Sequence, residues 1–208
     1  MKKKPMLMKK VLDYKPLFSR EIVGLIGTHR GAGVTHTGLM LAIYMGEELQ
    51  KRTALLEVND HYDMEVIEQS YEWDNFEDES FSYQNITCYK KVTLDQVPDL
   101  LNEPFDCFIL DFGTDFSTCR KEFLRCTKKL VIGSQAEWNQ WKLLRFHDSV
   151  KGIKGSDTWI YLIPYATDKT IKNLTHEFNR RIYTLPFEIN PINYSNETVR
   201  LFYELLHN

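Results

Sequence analysis

A glycine-rich turn between a short apolar run and a helical pattern constrains the fold of this chain more than any other feature. Residues 22–26 read Ile-Val-Gly-Leu-Ile, and Gly27, Gly31 and Gly33 lie in the turn that follows. Glycine lets the backbone turn tightly and bring its N–H groups close to an anion, and the next helix points the positive end of its dipole at the same place. The pattern predicts a strand, a phosphate-binding loop and a helix. The alternative is a tight turn that binds nothing.

Further apolar runs alternate with helical patterns along the chain. Near-continuous apolar strands are typical of a parallel sheet that is covered on both faces. We therefore predict an α/β fold, a single doubly wound domain over residues 20–208 with a mostly parallel sheet, helices on both faces and a basic N-terminal arm at 1–19. The predicted strands are 22–26, 53–58, 86–92, 105–111, 128–133, 158–163 and 182–185, and the predicted helices are 35–50, 93–101, 138–150, 168–180 and 197–206.

The loop resembles that of the MinD/ParA family of P-loop ATPases, which reads K-G-G-x-G-K-[ST]. In an ungapped alignment, Gly31 and Gly33 match two family glycines, and Thr35 matches the hydroxyl that binds magnesium. The phosphate lysine is replaced by Val34. The resemblance covers about residues 20–206 and implies a P-loop NTPase fold with a degenerate Walker A loop, most similar to the pilus-localisation proteins CpaE and TadZ.

The resemblance implies ATP or ADP with Mg²⁺ as the ligand of this loop. His29 takes the place of the family's signature lysine, and Arg30 takes the place of its first glycine. The residues predicted to contact the nucleotide are His29, Arg30, Gly31, Ala32, Gly33, Val34, Thr35 and His36.

Two acid-tipped strands complete the resemblance. Glu57 stands where the family has an aspartate that helps to set up the attacking water, so it is the candidate for positioning water, and Asn59 replaces a second aspartate. Asp111 ends an apolar run and, with Thr35, is predicted to hold Mg²⁺. Where the family reads adenine with an asparagine after a later strand, this chain has Tyr165. Polar residues at the mouth of an α/β sheet are the alternative interpretation of Glu57.

These departures favour a non-catalytic or barely catalytic protein that acts in positioning, in localisation or as a scaffold. The rival hypothesis is an active ATPase in which Arg30 or His29 replaces the missing lysine. A third hypothesis is a regulator that binds another phosphate-bearing ligand in the same loop. The first two hypotheses differ in whether the loop supports ATP hydrolysis, which requires a positive charge near the bridging oxygens, a metal ion and a positioned water.

Composition excludes several other classes. A net charge of −3 gives no reason to expect specific nucleic-acid binding. The four cysteines have no zinc-site spacing, so we expect reduced thiols in a cytoplasmic protein. No apolar run is long enough to cross a bilayer. Lysines in the arm at 1–19 favour a peripheral contact with an anionic membrane, and a solvated terminus is the alternative.

Acidic residues and aromatics are interleaved over 65–81. This pattern is consistent with a protein-binding surface or with a solvated helix whose aromatics face the core, which we favour. The last predicted helix lacks a lysine-rich face, so we expect it to pack in the core and not on a membrane. We predict a protein partner, and the resemblance implies a homodimer through the loop face.

Overall fold

The computed structural model describes residues 20–71, 74–77 and 79–207. This part of the chain contains nine strands and seven helices. The strands are β1 (Glu21–Gly27), β2 (Thr53–Glu57), β3 (Asp74–Glu77), β4 (Ser80–Tyr83), β5 (Ile86–Tyr89), β6 (Cys107–Asp111), β7 (Lys128–Ile132), β8 (Ile160–Pro164) and β9 (Ile182–Leu185). The helices are α1 (Val34–Ile43), α2 (Asp63–Tyr71), α3 (Val97–Leu100), α4 (Phe116–Arg125), α5 (Glu137–Val150), α6 (Asp168–Phe178) and α7 (Asn196–His207).

All nine strands form one sheet in the order β3-β4-β5-β2-β6-β1-β7-β8-β9. From β5 to β9 every pairing is parallel, and β3 and β4 add an antiparallel edge. Strand β1 lies between β6 and β7, with Val23 paired to Ile109 and Leu25 paired to Leu130. Because β1 has a partner on each side, its carboxyl end is fixed at the middle of the sheet. The predicted mostly parallel α/β sheet is confirmed.

Successive side chains of the strands pack alternately into two hydrophobic cores, one on each face of the sheet. Leu25 packs with α1 and α7 on one face, whereas Ile26 packs with α4, α5 and α6 on the other. This alternation follows from the two-residue period of a strand. The single doubly wound domain with helices on both faces is therefore confirmed. Its predicted bounds, 20–208, remain a prediction, and the predicted arm at 1–19 lies outside the described residues.

The helix after the loop differs from the prediction. We expected one amphipathic helix over 35–50, but α1 ends at Ile43 and continues as a π-helical turn, Tyr44–Glu48. Nearly every side chain of α1 is buried, so it has no solvated face. At the π turn Gly46 lies against Ile86 of β5, and a close approach of this kind requires a residue without a side chain.

Several elements escaped the sequence prediction. Within 65–81, residues 65–71 belong to α2, residues 74–77 form β3 and residues 80 and 81 begin β4. The expectation of one solvated helix is therefore wrong for 74–77 and 80–81, although Phe81 is buried in the core. The predicted strand 86–92 stops at Tyr89, since Lys91 has a φ of 53°. Helix α4 was not predicted, although Asp115 caps it by accepting a hydrogen bond from the Thr118 N–H.

The last helix packs as expected. Phe202 and Leu205 of α7 are buried in the core that contains α1. The interpretation of this helix as a core element is confirmed. Within the described ranges, none of the helices combines the length and the apolarity that a bilayer crossing would require.

The π turn yields a test of the packing. In Gly46→Ala the new Cβ would lie 2.6 Å from Cγ1 of buried Ile86, so strand or helix must shift. We expect a loss of about 1 to 3 kcal/mol in the free energy of unfolding, as for other overpacked cores. The matched control is Gly152→Ala, whose Cβ would meet nothing within 4 Å. Urea unfolding of both variants checks this, and equal stabilities would contradict the packing described here.

Candidate functional site

The glycine-rich loop lies at the carboxyl end of β1, where neighbouring strands hold it. The N–H of Gly27 donates to the Gly113 carbonyl at 2.8 Å, and the N–H of Thr28 donates to the Ile132 carbonyl at 3.0 Å. Gly113 follows the end of β6 by two residues and Ile132 is the last residue of β7, and these two strands flank β1. The loop is thus fixed at the edge where ligands bind in open α/β sheets.

The backbone of the loop presents unpaired donors. Gly31 and Gly33 have φ angles of 79° and 93°, in the left-handed region, and Gly33 caps α1 without a side-chain hydrogen bond. Within the described ranges, no acceptor is bonded to the N–H groups of residues 31, 33, 34, 35 and 36. The first turn of α1 contains no acidic residue. Consecutive free N–H groups at a helix N-terminus form a binding site for an anion.

Val34 fills the position of the family lysine with apolar contacts. Its side chain is 6% exposed. Its Cγ2 atom lies 2.6 Å from the point that a Cβ on Gly27 would occupy, and methyl groups of Ala32 and Thr114 lie within 3.4 Å of the same point. The base of the loop is therefore packed with methyl groups, and Val34 contributes no charge there.

Thr35 and Asp111 are brought together, as predicted for a magnesium site. The Thr35 hydroxyl donates to Oδ2 of Asp111 at 2.7 Å, and Oδ2 of Asp63 lies 3.1 Å from the same hydroxyl. Asp111 is fully buried, and its Oδ1 accepts from the Gly113 N–H at 2.9 Å. Burial raises the pKa of Asp111 to about 6, against the lowering effect of these two hydrogen bonds. Hydroxyl and carboxylate oxygens are the donors that Mg²⁺ prefers, so this set fits the ion.

The carboxylate of Glu57 is buried and bonded to the backbone, whereas a group that positions water must have an oxygen free to bind that water. It is fully buried, its Oε1 accepts from the Met64 N–H at 3.1 Å, and its Oε2 accepts from the Lys91 N–H at 3.2 Å. Burial raises its pKa. Both carboxylate oxygens therefore bind backbone groups, one in the first turn of α2 and one just after β5. The predicted role in positioning water remains a prediction.

The three charged or titratable residues of the loop differ in their surroundings. The His29 ring nitrogen Nδ1 lies 3.0 Å from the Thr28 hydroxyl, and burial, with a smaller effect of Lys142, lowers its pKa, so it is neutral at pH 7. Burial also lowers the pKa of His36. Arg30 is exposed, and no carboxylate in the described part of the chain forms an ion pair with it.

A cavity of about 600 Å³ opens at the loop, and all eight predicted nucleotide-binding residues line it. Sequence reasoning missed the opposite wall, which α2 and the segment after β9 provide. The missed residues are Leu39, His61, Asp63, Val66, Ile67, Ser70, Tyr71, Thr114, Ile189 and Pro191. The signal for Asp63 was an acidic residue after an acid-tipped strand and just before the helix favoured over 65–81, but the sequence did not place that helix beside the loop.

The sequence matches no protein-family model and no curated protein. Solved structures do resemble it. A plasmid partition protein from Borrelia burgdorferi bound to AMPPNP has a TM-score of 0.63 and 13% identity, covering 91% of this chain and 97% of that chain. A chain of the MinC:MinD cell division protein complex from Aquifex aeolicus has a TM-score of 0.62 and 10% identity, with coverage of 81% and 82%. The septum site-determining protein MinD from Pyrococcus horikoshii, complexed with Mg-ADP, has a TM-score of 0.57 and 10% identity, with coverage of 89% and 93%.

The strand order, the loop at the end of β1 and the helix that follows define a P-loop NTPase fold. Within that class, the structural neighbours are MinD and ParA-type proteins. The chain therefore has the MinD/ParA-type fold that the loop and the two acid-tipped strands predicted.

The buried carboxyl of Asp111 yields a pH-dependent prediction. Because its pKa rises from 3.8 to about 6 on folding, the neutral form favours the folded state. This contribution is fully present below pH 3.8 and is lost as the pH rises through about 6. Each tenfold change in proton affinity is about 1.4 kcal/mol, so Asp111→Asn should be about 1 to 3 kcal/mol more stable than wild type at pH 8 and similar to it near pH 4.

Urea unfolding at both pH values measures this difference. The matched control is Asp106→Asn, because hydrogen bonds from Arg52 lower the pKa of that exposed carboxyl and its loss should not stabilise the fold at pH 8. An Asp111→Asn variant that is less stable than wild type at pH 8 would contradict the assignment.

Proposed function

We propose that this protein is a MinD/ParA-type nucleotide-binding protein that acts in positioning or as a scaffold and hydrolyses ATP slowly or not at all. One observation carries the proposal. The backbone cradle of the loop and the Thr35–Asp111 pair are in place, while the methyl groups of Val34 occupy the position of the phosphate lysine. The site therefore retains what binds phosphate and lacks one charge that activates it.

Weak binding of ATP or ADP with Mg²⁺ follows from this balance. Structural neighbours are bound to AMPPNP or to Mg-ADP, which supports a nucleotide ligand here. An ammonium about 4 Å from a phosphate contributes an attraction of roughly 4 kcal/mol at an effective dielectric of 20. Losing even half of this attraction weakens binding by more than tenfold. We expect the free N–H groups to sustain binding that depends on Mg²⁺.

Slow chemistry follows from three side chains. Phosphoryl transfer requires cationic charge on the transferred group and a positioned water, and bound Mg²⁺ would neutralise part of the phosphate charge. Val34 provides no charge, and neutral His29 provides none. Glu57 has both oxygens bonded to backbone N–H groups, so orienting a water would break one of these bonds.

The rival function is a working ATPase, and one observation favours it. Arg30 lines the cavity, is exposed and has no ion-pair partner in the described ranges. Its guanidinium is therefore available to a phosphate. Sub-micromolar affinity for ATP together with steady turnover that Arg30→Gln and Asp111→Ala both abolish would establish the rival.

A role in positioning implies a protein partner, and the surface supports one. Large apolar side chains are exposed on the surface: Tyr62, Val66, Trp138, Trp141, Tyr165, Phe187, Ile189 and Tyr203. Val66 and Ile189 line the cavity at the loop. Exposed aromatics of this kind anchor protein interfaces. One structural neighbour is part of a MinC:MinD complex. We propose a cytoplasmic protein that binds a protein partner or a second copy of itself through this face.

Gly31 offers a direct test of nucleotide binding. A Cβ at Gly31 would meet nothing within 4 Å, and Asp and Asn tolerate its left-handed backbone better than other side chains. Gly31→Asp places a carboxylate in the cradle and should weaken Mg-ATP binding by about tenfold or more, because like charges repel at close range. The isosteric Gly31→Asn should change it much less.

Isothermal titration calorimetry of both variants measures the difference. Equal effects of Asp and Asn would show that the loop does not bind the phosphates.

Restoring the lysine separates binding from chemistry. Val34→Lys should bind Mg-ATP about tenfold more tightly than wild type, because it adds an ammonium beside the N-terminus of α1. It should remain nearly inactive, and detectable turnover should also need Glu57→Asp and His29→Lys. Val34→Met is the control, since it has a similar stem and no charge. Steady phosphate release by Val34→Lys alone would contradict the proposal that restoring the lysine restores binding without restoring hydrolysis.

A further inference from the structure

A second cavity, of about 370 Å³, lies at the amino ends of β7, β8 and β9. The glycine-rich loop is at the carboxyl ends of the parallel strands, so the two cavities open at opposite edges of the sheet. Four basic residues line the second cavity: Lys128, Lys129, Arg180 and Arg181. Asp157 is the one acidic residue among the described residues that line it.

Most of this positive charge is not balanced by a carboxylate. Arg181 forms an ion pair with Glu204. In the described part of the chain, Lys128, Lys129 and Arg180 have no carboxylate within 4.0 Å. The Lys129 ammonium donates to the Cys126 carbonyl, and burial lowers its pKa. Cations that are partly removed from water without a counter-ion are costly, so a bound anion would stabilise them.

Arg180 is held in place at the wall of the cavity. Its guanidinium lies over the Tyr161 ring at 5.3 Å, and one terminal nitrogen donates to the Ser156 carbonyl at 2.9 Å. Its Nε is buried and has no hydrogen-bond partner in the described ranges. A buried donor without an acceptor costs free energy, so this nitrogen is an unfavourable feature of the site as it stands.

We propose that this cavity is a binding site for a small diphosphate, either inorganic or carried by a small organic molecule. Several cations around one cavity suit a multivalent oxyanion better than a single carboxylate. The volume lies at the small end of the range for ligand cavities, about 300 to 1,000 Å³, and the chain as a whole has a charge of −3. A small ligand is therefore favoured over a duplex nucleic acid. This site is separate from the nucleotide-binding loop and does not depend on its function.

The experiment isolates the second cavity by blocking the first. In the Gly31→Asp background with EDTA present, calorimetry should show one inorganic pyrophosphate bound per chain. Adding Lys128→Gln and Arg180→Gln should weaken binding by about tenfold or more, because two close cations are removed. The matched control adds Arg120→Gln and Lys121→Gln instead, which removes one arginine and one lysine from the exposed face of α4 and should change affinity by less than about twofold. ADP in place of pyrophosphate distinguishes an organic from an inorganic ligand.

Two further measurements keep the test decisive if Arg180→Gln unfolds. Lys128→Gln alone removes a side chain that makes no hydrogen bond among the described residues, and it should weaken pyrophosphate binding with unchanged thermal stability. Trp159 lines the cavity and is 4% exposed, so its fluorescence should change on binding.

The proposal is overturned if pyrophosphate and ADP both fail to bind in the Gly31→Asp background. It is also overturned if the control and the cavity variants weaken binding equally, or if a duplex oligonucleotide binds in this cavity and displaces pyrophosphate.

Discussion

The hydrogen bond from Thr35 to Asp111 joins the helix after the loop to the strand beside it, and the rest of the site is arranged around this contact. Asp111 is fully buried and also accepts from the Gly113 N–H. Gly113 in turn accepts from the Gly27 N–H, where the loop begins. A short chain of hydrogen bonds therefore connects β1, β6 and α1. These hydrogen bonds fix the loop before any ligand binds, so ordering the loop would cost a ligand little binding free energy.

A fixed cradle without its lysine separates two properties that P-loop proteins usually combine. The backbone N–H groups and the helix dipole depend only on the path of the chain, which Gly31 and Gly33 preserve. The charge depends on one side chain, and the methyl groups of Val34 now pack against Gly27 at that point. Under the proposed function, recognition of phosphate by the backbone would therefore survive substitutions that remove catalysis. A nucleotide in such a site would act as a structural ligand or as a signal.

The sequence predicted the central part of this structure well. Short parallel strands such as β1 and β9 have clear ends in the sequence, and both were predicted to within one residue at each end. The loop residues and the Thr35–Asp111 pair were predicted from the resemblance to the MinD/ParA family, which rests on the glycine-rich loop and on the strand that ends in Asp111. The antiparallel β3–β4 hairpin was missed because its charged and aromatic residues fit a solvated helix equally well. The wall that contains Asp63 was missed because it depends on long-range packing of α2 and residues 189–191 against the loop.

The two backbone hydrogen bonds of Glu57 limit which residues position 57 can accept. One carboxylate holds the first turn of α2 through Met64 and also the chain after β5 through Lys91. Helix α2 forms a wall of the cavity, so the shape of the cavity depends on this side chain. An aspartate at this position is one methylene shorter and would reach only one of the two N–H groups. An aspartate here would therefore loosen α2 and with it one wall of the cavity, so the length of this one side chain sets how firmly that wall is anchored.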